Sequence, residues 1–285
     1  MRATILDGLV LGLRFGLLAT GLTLVYGLGG VLNLAYGQMA VISAMVVLFA
    51  LDAGFPILPA IGMGLAAGAL LGLIFDLTLL RPVYRRQGEA RVLLSLLLSL
   101  GAAFIIDGYL AWRYPFRGLT IPISGGAVNV LGVPMVRGAV VASGITIVVL
   151  AVLFSVFRFT PLGRAIRSVI EDEQGARLVG VNPNRMLRLI LVLSGVLAAI
   201  VAVTQSMVRP VTVTGGFELT VFALIVTVVG GLGSFTGAFL AGLGLGIIFS
   251  FAASYVGAFM SLVVLLVAAA LTILIRPSGL LGVKE

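Results

Sequence analysis

Long apolar runs alternate with short polar segments along most of this chain. In windows of about 20 residues, the runs are long enough to cross a bilayer as helices. Backbone groups in lipid must be paired within their own segment, which favours helices over open strands. The pattern predicts nine segments, at residues 8–28, 37–52, 57–80, 92–110, 138–157, 187–207, 218–232, 235–255 and 257–275.

Two of these segments, 37–52 and 218–232, are short for a full crossing. Each is either a span or a half-helix, so the expected number of spans is eight or nine. The predicted fold class is all-α, a polytopic helical membrane protein with glycine-interrupted helices. We expect residues 1–285 to form one transmembrane domain.

The composition agrees with a membrane protein and limits the chemistry. The chain has 61% hydrophobic and 10% charged residues, more apolar side chains than one soluble core can bury. It has no cysteine and no histidine, which excludes disulfides, thiolate metal ligands and the commonest general base. We therefore expect no metal site and no enzymatic activity.

The basic residues cluster in loops on one predicted side of the membrane. The net charge of +8 is therefore interpreted as a topology signal and as partner contacts, rather than as a surface for nucleic acid. By the positive-inside rule this side is the cytoplasm, and the C-terminus lies there. Residues 111–137 then lie outside, as an irregular loop or short surface helices. The clustered residues are Arg81, Arg85, Arg86, Arg91, six arginines within 158–188, Arg276 and Lys284.

Residues 158–188, here called the charged loop, carry six arginines and three acidic residues. Thr160 with Pro161, and Asn182 with Pro183, are typical of helix starts. Gly175 and Gly180 can break or end the first helix. A short cytoplasmic helical hairpin is predicted, with a solvated loop or a lipid-surface helix as alternatives. Its apolar stripe comprises Leu162, Ile166, Val169 and Ile170, and Arg167 has the helical spacing to pair with Glu171.

Glycines interrupt an early apolar block at 27–37 and a late one at 230–237. Paired interruptions of this kind indicate a transport pathway, and the alternatives are close helix packing or tight turns at the cytoplasmic surface. Nearby polar side chains are candidates to line that pathway, although hydrogen bonding between helices is the alternative for each. These candidates are Asn33, Tyr36, Gln38, Ser43, Ser95 and Ser99.

Other glycines and small residues recur every fourth position, at 8–16, 64–72 and 238–246, and predict close helix packing, either within the bundle or against a second subunit. A few ionisable residues, Arg14, Asp76, Asp107 and Glu218, lie in or at the ends of spans. We expect snorkelling or local pairs, such as Asp76 with Arg81, to satisfy them.

Four motifs, in order, resemble the permease subunits of bacterial ABC importers for branched-chain amino acids, of the LivH and LivM type. The motifs are Gly21–Gln38, Thr160–Asn182, Gly230–Ala238 and Ile275–Gly282. The chain departs from the family at Tyr36-Gly37-Gln38, where the family commonly has His-Gly-Glu, so the solute stays open.

The resemblance implies that the charged loop docks on an ATPase subunit and transmits its motion. It also implies a second permease subunit, expected to be a homologous but different chain, two ATPase subunits, a periplasmic binding protein and a bacterial inner-membrane location. The residues expected to carry the coupling are Arg164, Arg167, Glu171, Asp172, Glu173, Ala176 and Gly180.

The only lysine is Lys284, so no phosphate-binding loop of the G-x-x-x-x-G-K type is present. If transport uses ATP, the nucleotide is bound by partner subunits, and no cofactor is expected on this chain. The alternatives are a related importer for urea or amides, and an ion-coupled secondary transporter or channel.

Overall fold

The computed structural model describes residues 1–86, 88–121, 123, 126–276 and 278–281. Across these residues the chain forms eleven α-helices and four short strands. The helices are α1 (Arg2–Gly29), α2 (Tyr36–Asp52), α3 (Ile57–Phe75), α4 (Glu89–Arg113), α5 (Arg137–Phe159), α6 (Pro161–Glu171), α7 (Glu173–Leu178), α8 (Pro183–Ser206), α9 (Gly216–Gly230), α10 (Phe235–Tyr255) and α11 (Ala258–Ile275). The strands are β1 (Gly118–Leu119), β2 (Val128–Val130), β3 (Val133–Met135) and β4 (Val211–Thr212).

Each of the nine predicted apolar segments corresponds to one helix, and α6 and α7 form the charged loop. By length and composition, α1, α4, α5, α8, α10 and α3 with its π-helical extension (Asp76–Leu80) can each cross a membrane. The other three apolar helices, α2, α9 and α11, are shorter. The polytopic helical fold is therefore confirmed, as is the shortness of segments 37–52 and 218–232.

Glycines allow α1 and α10 to pack backbone against backbone. An added Cβ on Gly12 would lie 2.8 Å from Leu243 Cα, and one on Gly8 would lie 2.8 Å from Ile247 Cα. On the facing helix, Gly242 and Gly246 lie against the backbone of Gly16 and Gly12. Because no side chain separates the two helices, they form a closely packed pair at the centre of the bundle.

A second glycine stripe, on α3, lies against α2 and α8. An added Cβ on Gly68 would lie 3.0 Å from Ala199 Cβ, and one on Gly72 would lie 2.9 Å from Val192 Cα. Both stripes pack helices within this chain, which is one of the two arrangements that their four-residue spacing predicted. Enclosed by α3, α8 and α9, α2 has its first residues, 36–41, fully buried.

The bundle has two distinct ends. The end of α1, the turn between α9 and α10, the charged loop and residues 278–281 lie together, and this end is called the loop end. The first residues of α1 lie at the opposite, far end, where Ser250 near the end of α10 donates to the Thr4 carbonyl at 2.9 Å. An odd number of crossings places the first and last spans' outer ends on opposite sides, so this arrangement agrees with nine segments.

The segment between α4 and α5 was expected to be an irregular loop or short surface helices. Its described residues contain no surface helix but form short strands within a loop: β1 pairs with β4, and β2 pairs with β3 in a hairpin. Leu131 and Gly132 turn that hairpin with positive φ angles of 51° and 83°. The partner of β1 follows α8 in the chain, so local sequence could not reveal the pairing. Residues 122, 124 and 125 lie outside the described residues.

Candidate functional site

Side-chain caps define the helices of the charged loop. The Thr160 hydroxyl accepts the Gly163 N–H at 3.2 Å, with Pro161 at the first helical position of α6. The Asn182 side chain accepts the Arg185 N–H at 3.3 Å and starts α8 in the same way. Both predicted helix starts are confirmed. These bonds use N–H groups that have no partner within their helix.

The break between α6 and α7 lies at Asp172 rather than at Gly175. Asp172 has an extended backbone, and its carboxylate accepts the Gln174 N–H at 2.9 Å, which caps α7. Gly175 lies inside α7, where an added Cβ would come within 2.5 Å of the Asp172 carboxylate. The sequence correctly marked a break, but the capping acid causes it.

A small separate core anchors the charged loop to the bundle. Ile166, Val169 and Ala176 are buried against residues from the end of α1, the start of α8 and the segment after α3. Leu162 packs partly against the same core, whereas Ile170 is exposed. Close apolar packing of this kind holds α6 and α7 against α1, α8 and the segment after α3. The partners are Val25, Leu28, Val31, Leu80, Val83, Leu187, Ile190 and Leu191.

The expected coupling residues divide into an outer and an inner set. Arg164, Arg167, Glu171 and Asp172 are exposed, Glu173 is half-buried, and Ala176 is buried. Gly180, exposed with φ of +86°, makes the turn after α7. Ala176 therefore belongs to the anchoring core, while Arg164, Arg167, Glu171 and Asp172 lie on the outer surface of the charged loop.

The predicted pair between Arg167 and Glu171 is wrong. Arg167 instead donates to the Phe157 carbonyl at the end of α5. Glu173 forms an ion pair with Arg177 at 2.8 Å and lies 3.9 Å from Arg91 in the first turn of α4. A carbonyl left free at a helix C-terminus is an alternative acceptor for a nearby guanidinium.

Two apolar residues at the end of α7 were not identified from the sequence. Leu178 is 90% exposed and Val179 is 75% exposed, and both directly precede the turn at Gly180. Exposed apolar residues that lie next to one another on a charged loop favour a protein contact. The sequence signal that could have identified them was their position directly before Gly180, beyond the apolar stripe of the charged loop.

A polar cluster joins the helices at the base of the charged loop. Asp76 accepts hydrogen bonds from Arg188 Nε at 2.9 Å and from the Tyr84 hydroxyl at 3.3 Å. Burial, with the nearby Asp76 charge, raises the pKa of Tyr84 above its ordinary value, so the phenol stays protonated and donates. Arg91 lies over the Tyr84 ring. The predicted partner Arg81 makes no side-chain ion pair among the described residues, so the local assignment is wrong.

A cavity of about 300 Å³ lies beside α6, between the ends of α1 and α5 and the starts of α8 and α10. Its lining is mainly apolar and includes Phe157, Ile166 and Ile190, with Arg158 and Arg167 among its walls. Gly27 and Gly233 line the opposite side, where an added Cβ on Gly27 would lie 3.0 Å from Gly233 Cα. The two predicted glycine interruptions therefore meet, but as a packed turn at the loop end.

The interruption at membrane depth involves a different pair, the starts of α2 and α9. The Gly37 N–H donates to the Thr220 hydroxyl at 2.9 Å, and an added Cβ on Gly37 would collide with the Gly216 carbonyl. The two short helices run in opposite directions from this junction, so two helix N-termini meet inside the bundle. The sequence signal for the start of α9 was the dipeptide Gly215-Gly216, which precedes the glycines expected at 230–237.

Two of the three serines expected to line a pathway, Ser95 and Ser99, stabilise the non-helical segment between α1 and α2. Ser95 accepts the Leu32 N–H at 3.1 Å, and Ser99 accepts the Leu34 N–H at 3.0 Å. Ser43 donates to the Met39 carbonyl within α2. These bonds pair backbone groups that lipid could not satisfy.

The other three pathway candidates lie in the same buried region. Asn33 accepts the Ala35 N–H at 3.0 Å, and Gln38 donates to Asp107 at 3.0 Å. Tyr36 is fully buried with its hydroxyl against Gly21, and this oxygen has no hydrogen-bond partner. None of the six candidates lines a described cavity in this structure, and their role in transport stays a prediction.

The described part of the closing motif completes the end of α9. The N–H groups of Leu280 and Leu281 donate to the carbonyls of Val229 and Gly230 at 2.9 and 3.1 Å. These carbonyls lack partners within their own helix. The motif therefore secures the short helix α9 at the loop end. Pro277 and residues 282–285, which include Lys284, lie outside the described residues.

Comparison with known proteins gives matches along nearly the whole chain. The family model described as branched-chain amino acid transport system, permease component, matches residues 4–275. The permease protein BraD of a high-affinity branched-chain amino acid transport system in Pseudomonas aeruginosa is 30% identical over 293 residues, covering 99% of this chain and 95% of BraD. Its counterpart LivH of Escherichia coli is 26% identical over 298 residues, covering 98% and 94%.

A solved structure has a similar fold. PsaBC from Streptococcus pneumoniae, in complex with Fab, superposes with a TM-score of 0.53 at 14% identity, covering 98% of this chain and 97% of that chain. At this identity the likeness concerns the fold alone.

Proposed function

This chain belongs to the family of permease components of branched-chain amino acid transport systems, and from this premise we propose that it conducts a branched-chain or closely related amino acid through an ABC importer. It acts in the bacterial inner membrane with its C-terminus in the cytoplasm. A periplasmic binding protein delivers the solute, and a second permease, homologous but different, completes the membrane path.

Two partner ATPases bind and hydrolyse ATP, and this chain itself is neither an enzyme nor a cofactor-binding protein. The anchored charged loop is the observation that supports a permease driven by separate ATPase subunits. Its outer surface combines charged side chains with the exposed pair Leu178 and Val179, and its inner surface packs against α1, α8 and the segment after α3. Such an element suits transmission of motion from a docked partner.

The assignment of the solute is tested with the importer purified from its native membrane. Mass spectrometry identifies the subunits that remain bound, and the importer is then reconstituted in proteoliposomes with its binding protein. We expect ATP-dependent uptake of L-leucine, L-isoleucine or L-valine. Uptake driven by an ion gradient from the purified chain alone would refute the ABC assignment, and ATP-dependent uptake of urea or amides only would refute the solute.

The docking surface is tested with Leu178→Asp. A carboxylate there would have to be desolvated against the ATPase, so we expect loss of ATPase retention and of ATP-driven uptake. Leu131→Asp is the matched control, because Leu131 is 80% exposed at the tip of the far-end hairpin. Equal retention of the ATPase by both variants would show that the end of α7 is not the docking surface.

A further inference from the structure

A cavity of about 270 Å³ lies in the far half of the bundle, away from the charged loop. It is lined by residues of α1, α9, α10 and α11, of the end of α8 and of the segment between α8 and α9. Its volume is just below the usual range for small-molecule sites, about 300–1,000 Å³, which suits a solute of amino-acid size. Its walls combine guanidinium, carboxylate and aromatic groups.

Arg14, midway along α1, contributes a guanidinium that its surroundings satisfy only in part. Its Nη1 donates to Gln205 Oε1 at 3.0 Å, but its buried Nε has no hydrogen-bond partner. The ion pairs among the described residues involve other arginines, so Arg14 lacks a carboxylate partner. A buried N–H of a cation without an acceptor is unfavourable, and an ionisable group within a membrane span is typically functional.

Two further charged residues line the same cavity, Arg209 after α8 and Glu218 in the first turn of α9. Neither forms an ion pair among the described residues. Two guanidinium groups offer donors to a carboxylate, and one carboxylate offers acceptors to an ammonium group. The charges therefore match the two ends of a zwitterion.

Three aromatic rings supply an apolar wall. Phe15 stacks on Phe222 with ring centroids 5.1 Å apart, and Phe249 meets them edge-on at 6.0 and 6.1 Å. All three rings line the cavity. Since the rings pack on one another, this wall is present before a ligand arrives and can receive an aliphatic side chain.

We infer that this cavity binds a free α-amino acid with an aliphatic side chain, its carboxylate at Arg14, its ammonium group towards Glu218 and its side chain against the three phenylalanines. The choice of an amino acid rests on the proposed function, whereas the carboxylate preference follows from the unpaired guanidinium. The site thus holds the solute inside the permease, separately from the binding protein.

The test measures binding to the assembled permease pair in nanodiscs, without ATPases or binding protein. Saturation-transfer NMR detects weak binding of three probes: L-leucine, 4-methylpentanoate, which lacks the ammonium group, and L-leucinamide, which lacks the carboxylate. We expect Arg14→Gln to weaken the binding of leucine and of 4-methylpentanoate at least about tenfold, which corresponds to the loss of one charged hydrogen bond. The binding of leucinamide should be unchanged. Glu218→Gln should weaken the binding of leucine and of leucinamide and leave that of 4-methylpentanoate unchanged.

Two controls separate binding from folding. Arg14→Lys keeps the charge but loses the guanidinium geometry, so it should fall between wild type and Arg14→Gln. Arg113→Gln removes the same charge at the end of α4, outside the cavity, and should bind all probes like wild type. Gel filtration checks that each variant remains assembled.

The outcomes also separate this inference from the proposed function. If the wild-type importer takes up leucine but Arg14 and Glu218 variants bind every probe normally, the site is refuted and the function stands. If the importer takes up no branched-chain amino acid, yet the permease binds 4-methylpentanoate in an Arg14-dependent manner, the carboxylate site stands and the function fails. A wild-type permease that binds none of the probes overturns the inference.

Discussion

The interaction between Asp76 and Arg188 gives a prediction whose size follows from the structure. The Asp76 side chain is 5% exposed, and that of Arg188 is 46% exposed, with 2.9 Å between Oδ2 and Nε. The bond joins the π-helical extension of α3 to the first turns of α8, directly beneath the charged loop. We examine it through Asp76→Asn, Arg188→Gln and the double variant.

A hydrogen bond to a charged group contributes about 1.5–3 kcal/mol. Because solvent reaches nearly half of the Arg188 side chain, we expect the coupling energy near the lower limit, about 1.5 kcal/mol, or roughly tenfold in the folding equilibrium. Asp76→Asn alone should be more destabilising than Arg188→Gln, since Asp76 also accepts from Tyr84. The double variant should therefore be less unstable than the sum of the single variants.

The assay is reversible unfolding of the purified chain in mixed micelles titrated with a denaturing detergent, analysed as a double-mutant cycle. Arg81→Gln is the matched control, because it removes the same charge from a residue near Asp76 in sequence with no side-chain ion pair among the described residues. Its effect should add to that of Asp76→Asn. An additive Arg188 cycle, or an equally large coupling with Arg81, would refute this assignment of the partner.

Three further predictions concern packing, capping and the non-helical segment. Gly246→Leu should destabilise the fold by about 3 kcal/mol, because the side chain would meet the α1 backbone, whereas Gly244→Leu on the open face should be tolerated; equal gel-filtration and unfolding profiles would contradict this. Thr160→Val should cost about 1 kcal/mol in the same unfolding assay and Thr160→Ser should not; identical losses would exclude the cap. Ser95→Ala should cost about 1–3 kcal/mol by leaving a buried N–H unpaired. Ser143→Ala is its control, because the Ser143 hydroxyl bonds only within its own helix. Equal losses of stability in these two variants would contradict the prediction.

The sequence predicted the helical elements well because membrane spans and helix caps are local properties. An apolar run of about 20 residues is sufficient to specify a spanning helix, and Thr160-Pro161 and Asn182-Pro183 carry their capping partners within three residues. The four-residue glycine spacing also predicted close packing correctly. That spacing identifies a smooth helix face before its partner is known.

The candidate sites were predicted less completely because their partners are distant in the chain. Asp76 pairs with Arg188 rather than Arg81, and the start of α2 meets the start of α9 rather than the glycines at 230–237. Leu178 is exposed although it belongs to a helix in the charged loop. Each outcome depends on how helices approach one another, which no local pattern contains.

The sequence by itself determined that this is a polytopic helical membrane protein, where its helices begin, and which loop carries the charge, since hydropathy, capping and charge bias act over a few turns. Only the tertiary structure decided which glycines meet, which acid each arginine binds, and that Arg14, Arg209 and Glu218 share one cavity with three phenylalanines. The reason is physical: backbone contact, ion pairing and cavity formation depend on distances between segments, and those distances exist only once the bundle has packed.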